Sequence, residues 1–183
     1  MEAPVDPERV AQARSGDAAA FEALVEARVG SMVRTAMAIL GREDEARDAV
    51  QDTLVTAWRE LASLRDPAAF DAWLTRILVN RCRRGLRTFG LSRLREMPAD
   101  EVAELDLPRG PDIAGAVVDR QSLERAFDRL SVDERTILVL HHLDGRPLVS
   151  IAAVLKIPEG TAKSRLFKAR RSLERAMARE AER

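Results

Sequence analysis

Apolar residues recur along most of the chain at i, i+3, i+4 and i+7, the period of amphipathic helices. Phe21, Leu24, Val25, Met32, Val33, Ala36 and Leu40 form one stripe, with Gly30 a candidate break. Ala46, Ala49, Val50, Thr53, Leu54, Ala57, Trp58 and Leu61 form a second. A third opens at Asp66-Pro67: Asp caps a helix N-terminus, and Pro suits the first helical position because its missing N–H had no partner there. Phe70, Trp73, Leu74, Ile77 and Arg81 or Cys82 then follow one face.

The pattern stops at about residue 88. Between 88 and 119 stand Pro98, Pro108, Pro111, Gly90, Gly110 and Gly115, and the apolar residues keep no period, so this stretch reads as a flexible linker. It separates a domain over 5–87 from one over 120–181. In the second domain Leu123, Ala126, Phe127 and Leu130 predict one helix. Ser131 and Glu134 have capping-box spacing before a helix through Ile137, Leu138 and His141. "LDGRP" (143–147) predicts a turn, and Leu148, Ile151, Ala152 and Leu155 a short helix. Pro158 forces Ile157 to be extended, so the chain must turn before a last helix that buries Ala162, Leu166, Ala169 and Leu173.

Composition fits two small all-α domains: 183 residues, 46% apolar, 33% charged, no tyrosine. No apolar run approaches membrane-spanning length, so membrane insertion is not expected. The amino terminus, "MEAPVDPERV", is acidic and lacks the apolar core of a signal peptide. The single cysteine, Cys82, has no partner within the chain, and the expected location is cytoplasmic.

Net charge is zero, with 30 basic and 30 acidic residues, but the charges are segregated. Residues 43–60 hold six acids and two arginines, 73–95 seven arginines and no acid, 96–119 seven acids and one arginine. Residues 161–175 hold six basic residues and one acid. Alternating blocks suit different surfaces for different partners better than a set of solvated helix faces.

Two short helices joined by a tight turn, the second basic, describe a helix-turn-helix. With Ala162, Leu166 and Ala169 inward, Lys163, Ser164, Phe167, Lys168 and Arg171 form one outward stripe. Gly160 and Thr161 at the helix start let backbone amides approach a phosphate. Lys163, Ser164 and Lys168 can reach base edges in a major groove, and Phe167 a thymine methyl. An exposed phenylalanine amid cations is awkward for an ordinary surface helix. In the first domain Arg76, Asn80, Arg83, Arg84 and Arg87 share a face bordered by Trp73, a combination suited to single-stranded nucleic acid. Glu45, Asp48 and Asp52, with Gln51, line an acidic face that repels DNA and suits a basic protein.

No metal or cofactor is expected. The acidic cluster lacks calcium-loop geometry, and His141 and His142, neighbours in a helix, point some 100° apart. No nucleophile, catalytic pair or glycine-rich phosphate loop is evident, so the chain is not expected to be an enzyme.

"DAAAFEALVEARV", "EARDAVQDTLVTAWREL" and "FDAWLTRILVNRCRR" resemble region 2 of a bacterial sigma factor. "LSVDERTILVLHHLDGRPLVSIAAVLKIPEGTAKSRLFKARRSLE" resembles region 4. Two domains with a short linker are similar to the extracytoplasmic-function (ECF) group. The resemblance implies a factor that binds core RNA polymerase, through the β′ clamp and the β subunit, and directs promoter recognition and melting. It implies clamp docking by Asp48, Gln51 and Asp52. It places −10 element binding on Leu64, Arg65, Trp73, Arg76, Asn80, Arg83 and Arg84, with a flipped-out base held near the 63–67 loop and Asn80. It places −35 reading on Gly160, Thr161, Lys163, Ser164, Phe167, Lys168 and Arg171. The linker would thread the polymerase cleft, its acids mimicking nucleic acid, and an anti-sigma factor would be a further partner. Arg84 stands where the family often has an acid, and Pro147 where it often has a small hydroxyl residue. The alternative, a helix-turn-helix regulator that does not bind polymerase, leaves the first domain's acidic and arginine faces without a task.

Overall fold

The computed structural model describes residues 5–96 and 120–182, with side chains described for 5–86 and 121–182. Its regular elements are helices: α1 (Pro7–Arg14), α2 (Ala18–Leu40), α3 (Glu43–Glu60), α4 (Phe70–Glu96), α5 (Arg120–Asp128), α6 (Val132–Leu138), α7 (Leu148–Leu155) and α8 (Glu159–Ala181). Two single 3₁₀ turns, Leu61–Ser63 and Pro67–Ala69, connect α3 to α4, and a π-helical turn, Val139–Leu143, extends α6. These helices form two domains, α1–α4 and α5–α8. Helix α4 runs to Glu96, into the stretch read as linker; residues 97–119, with most of its acidic block, lie outside the described residues.

In the first domain α2, α3 and α4 pack together, with α1 across α2. Phe70 and Ile39 are fully enclosed, and Leu24, Leu61, Leu74 and Leu78 lie among them. Short side chains fix the helix starts. Asp17 accepts the Ala20 N–H at 3.0 Å to start α2, and Asp66 accepts the Ala68 N–H at 3.0 Å. The Asp66-Pro67 pair thus caps the 3₁₀ turn that leads into α4, three residues earlier than the α-helix proper. Gly41, with φ 77°, closes α2 by donating to the Met37 carbonyl at 2.8 Å.

Gly30 does not break α2, which runs through it. A glycine inside a helix costs about 1 kcal/mol relative to alanine, and the packing of the 23-residue helix outweighs this. Arg28, 5% exposed, crosses from α2 to α4: its Nε donates to Asp71, its Nη1 to the Leu24 carbonyl at 2.7 Å, and its guanidinium lies 5.5 Å from the Phe70 ring centre.

In the second domain α5, α6 and α7 surround α8. The capping box is formed in full: Ser131 Oγ accepts the Glu134 N–H, and Glu134 accepts the Ser131 N–H. Glu180, near the end of α8, accepts from Arg125 at 2.7 Å and pairs with Arg129 at 2.6 Å. The Arg125 hydrogen bond, with help from Arg129 and against burial, holds its carboxyl below the usual range. The domains are in contact. Buried residues of both belong to one continuous apolar cluster, and α7 lies against α4.

Candidate nucleic-acid interface

Between α7 and α8 the chain reverses at Lys156, whose φ of 53° and ψ of 48° are left-handed, and Pro158 then starts α8. Among the described residues, nothing beyond its chain neighbours and the nearby backbone of α8 lies within 4 Å of where a Cβ on Gly160 would stand, so the backbone at the start of α8 is open to approach. Ala162 and Ala169 are fully buried and Leu166 nearly so. That fixes the helix's rotation. Lys163, Ser164, Lys168 and Arg171 are exposed, and Phe167 is 64% exposed; Thr161 is half-buried. The structure therefore brings the stripe together on one open face.

Two contacts set that face. Ser172 Oγ donates to Glu134 Oε1 at 2.7 Å, and Arg170 Nε donates to His142 Nε2 at 3.2 Å. Burial by itself would raise the Glu134 pKa. Hydrogen bonds from Ser131 and Ser172 and the field of Lys168 outweigh it, so the carboxyl lies below its ordinary value. His142 also lies below its ordinary value, first because burial disfavours the imidazolium and then because Arg170 and His141 repel it. The neutral ring can accept from Arg170. His141 and His142 are packing and surface residues. Their rings meet edge to face at 4.8 Å, and His141 Nδ1 lies 3.2 Å from the Arg146 carbonyl.

On α4, Asn80 and Arg84 are exposed and Arg76 half-buried. Arg83 is 19% exposed and pairs with Asp133 of α6 at 3.0 Å, so the second domain touches this face. Arg65 is exposed on the 63–67 loop, but Leu64 and Trp73 are 5% and 6% exposed. Leu64 packs into the first domain's core, and Trp73 lies 5.9 Å from the Phe70 ring; both support the face from beneath rather than forming part of it. The Arg87 side chain lies outside the described ones.

The acidic face of α3 is exposed at Asp48, Gln51 and Asp52. Asp52 pairs with Arg81 at 3.4 Å, and Arg81 also donates to Thr56 at 2.7 Å. Sequence reasoning missed the centre of this face. Val55, 45% exposed, falls between Gln51 and Asp52 on the helix wheel. Trp58, read as part of the buried stripe, is 41% exposed and leans on Phe21 with ring centres 5.1 Å apart. The signal available was a β-branched apolar residue out of phase with the buried stripe.

Among the described residues no group of three His, Cys, Asp or Glu side chains could hold a metal ion. Cys82 is buried, and burial pushes its thiol up to about 12, so it is not a nucleophile at neutral pH. No helix among the described residues is long and apolar enough to cross a membrane.

Sigma-70 region 2 matches residues 24–89 and Sigma-70 region 4 residues 120–173. The ECF RNA polymerase sigma factor SigM of Mycobacterium tuberculosis is 34% identical over 94% of this chain and 84% of its own length. The RNA polymerase sigma-H factor of Pseudomonas aeruginosa is 30% identical over 94% of this chain and 93% of its own. Among solved structures, the sigma factor RpoE of Bartonella quintana, in complex with the anti-sigma factor NepR, covers 86% of this chain and 96% of its own at 28% identity with a TM-score of 0.64. CnrH, in complex with the cytosolic domain of CnrY, covers 95% and 97% at 26% identity with a TM-score of 0.66.

Proposed function

The chain belongs to the ECF RNA polymerase sigma factors, non-enzymatic transcription initiation factors, and on that premise we propose how its faces divide the work. Helix α8 enters the major groove of the −35 element. Lys163, Ser164, Phe167 and Lys168 meet base edges, while Arg171 and the open backbone at Gly160 and Thr161 meet phosphate. The α4 face, with Arg76, Asn80, Arg83 and Arg84, tracks the −10 strand, and Asn80 with Arg65 on the neighbouring loop receives an extruded base. Asp48, Gln51 and Asp52, surrounding Val55, dock on a basic surface of the polymerase clamp. The factor works in the cytoplasm, and an anti-sigma factor is a further partner, a reading supported by the similar sigma factor RpoE, which was solved bound to the anti-sigma factor NepR.

One observation carries this division. The same chain holds an open cationic stripe on the second helix of a helix-turn-helix and, in its other domain, an exposed acidic face with an apolar centre that DNA would repel. A DNA-binding regulator working alone has use for the first but not the second. The test is transcription with purified core polymerase on a panel of promoter fragments. Promoter-specific transcripts that need both core and this protein are expected. Sequence-specific DNA binding without polymerase, and no transcript with it, would establish the regulator instead.

A further inference from the structure

Beside the outward stripe of α8 stands a cation that the stripe does not include. Arg170 is exposed, and its Nε donates to His142 Nε2 at 3.2 Å. Among the described residues this is the one hydrogen bond its guanidinium makes, and no carboxylate pairs with it. Its Nε–H is taken, while the N–H groups on Nη1 and Nη2 stay available. The acceptor is itself held in place. His142 belongs to the π-helical turn Val139–Leu143, closed by the Asp144 N–H on the Val139 carbonyl at 3.0 Å. Single π turns inside helices are frequent at functional sites. The His142 ring meets His141 edge to face, with centres 4.8 Å apart. His141 Nδ1 in turn lies 3.2 Å from the Arg146 carbonyl, which can only accept, so that nitrogen carries the hydrogen.

Position on the helix decides what the Nη donors can reach. A helix with its side chains is about 10–12 Å across, and the major groove is about 12 Å wide. A helix in the groove therefore turns its outward face to the bases and its flanks to the phosphate walls. At about 100° per residue, Arg170 lies about 90° around α8 from the centre of the stripe, on the same flank as Lys163. A free arginine loses rotamer freedom when it grips a phosphate. One already tied through Nε loses less, and its paired Nη donors match two phosphate oxygens. Only a neutral ring can accept at Nε2. Partial burial first, then repulsion by Arg170 and His141, holds the His142 pKa below its ordinary value, so the ring is neutral near pH 7.

We propose that His142 is a positioning residue for −35 binding: it holds Arg170 on the flank of α8 so that the guanidinium meets a backbone phosphate with its Nη donors already aimed. This rests on the groove-entering role of α8 proposed above. It adds a phosphate contact outside the stripe and the group that orients it. Arg170 contributes affinity but no choice of sequence. His142 makes no contact with DNA, and its whole effect passes through Arg170.

The test measures binding of holoenzyme, assembled from core polymerase and this protein, to promoter duplexes at several salt concentrations. Arg170→Ala should weaken binding about three- to tenfold, flatten the salt dependence by about one unit of slope, and leave the preferred −35 sequence unchanged. His142→Phe should weaken binding about three- to fivefold at the parent's slope, because the phosphate contact still forms but must first be ordered. His142→Gln, whose amide oxygen can take the place of Nε2, should recover most of that loss. Adding His142→Phe to Arg170→Ala should cost nothing further. Arg170→Lys keeps the charge but loses the Nε donor, and should reproduce the His142→Phe loss at the parent's slope, so a folding failure of a His142 variant would not remove the test. A methylphosphonate, which lacks the phosphate charge, is then placed at each −35 backbone position in turn. At one position it should weaken the parent but not Arg170→Ala. Parent-like binding by Arg170→Ala, by Arg170→Lys or by His142→Phe would overturn the proposal, as would a Gln variant no better than Phe, or additive losses in the double variant. A parent holoenzyme with no preference among −35 sequences would overturn the groove-entering role of α8, and this contact with it. A parent that keeps its preference while the variants fail these tests loses only the contact.

Discussion

Ser172, on the helix proposed to enter the groove, donates its hydroxyl to Glu134 Oε1 at 2.7 Å, while the same carboxylate closes the cap of α6. One ionised group therefore ties the cap of α6 to the reading helix. Its folded pKa is lowered, so the stability it contributes is present above the ordinary carboxyl value near 4.5 and is lost as pH falls through the folded value. Glu134→Gln keeps the shape but not the charge and should cost about 1 kcal/mol at neutral pH. The difference between parent and variant should shrink as the pH is lowered below the folded value, where the parent is protonated as well. Thermal melts at neutral and at acid pH decide it; an equal difference at both would mean the charge contributes nothing.

Arg28 gives a prediction about the first domain alone. Its guanidinium is enclosed, but its partner Asp71 is 30% exposed and can turn to water. Arg28→Ala should cost about 2–4 kcal/mol, less than a fully buried pair, through lost packing on Phe70 and the lost tie between α2 and α4. Arg28→Met, which keeps the stem, should cost less than half as much. Urea titrations measure both, and equal costs would show that the charge rather than the packing carries the effect.

Legibility from sequence followed the physics of each element. The α8 stripe could be read because Ala162, Leu166 and Ala169 fix the helix phase with small and branched apolar residues at regular helical spacing. Capping at Ser131 and Asp66 could be read because a short polar side chain acts on the backbone a few residues away. Helix α1 could not: only Val10 and Ala13 of its eight residues are buried, too few to form a stripe. The burial of Leu64 and Trp73 could not be read, because a linear pattern does not tell which side of a loop or helix edge is covered. The Thr35–Asp144 and Arg146–Thr75 contacts were invisible because they depend on which faces of two separately patterned domains meet.

On α3, Asp48→Arg with Asp52→Arg should weaken binding to core polymerase by at least tenfold and leave the fold intact, since both carboxylates are exposed. Asp52→Arg alone also places a like charge beside Arg81, so Asp48→Arg alone is the cleaner single variant. Fluorescence titration with core polymerase reads the affinity and circular dichroism the fold. A folded double variant that binds core as the parent does would remove this face from the interface.

The α8 stripe should contain two kinds of residue, and their substitutions should differ in kind. Arg171 lies two turns into the stripe, exposed, where a recognition helix passes the backbone. Arg171→Ala should weaken all sequences alike and flatten the salt dependence by about one unit of slope. Lys168 lies nearer the helix start, beside 64%-exposed Phe167. Lys168→Ala should cost about 1–3 kcal/mol on the preferred −35 sequence and much less on others. Lys168 also lowers the Glu134 pKa, so part of any effect could come through the cap. Phe167→Ala separates the two, because Phe167 carries no charge to act on the cap; it should lose preference for thymine without altering acid stability. Binding-site selection with holoenzyme, repeated at two salt concentrations, measures all three variants. If Arg171→Ala shifts sequence preference while Lys168→Ala does not, the helix is turned in the groove so that Arg171, not Lys168, faces the bases. If none of the three changes preference or affinity, α8 does not enter a groove at all.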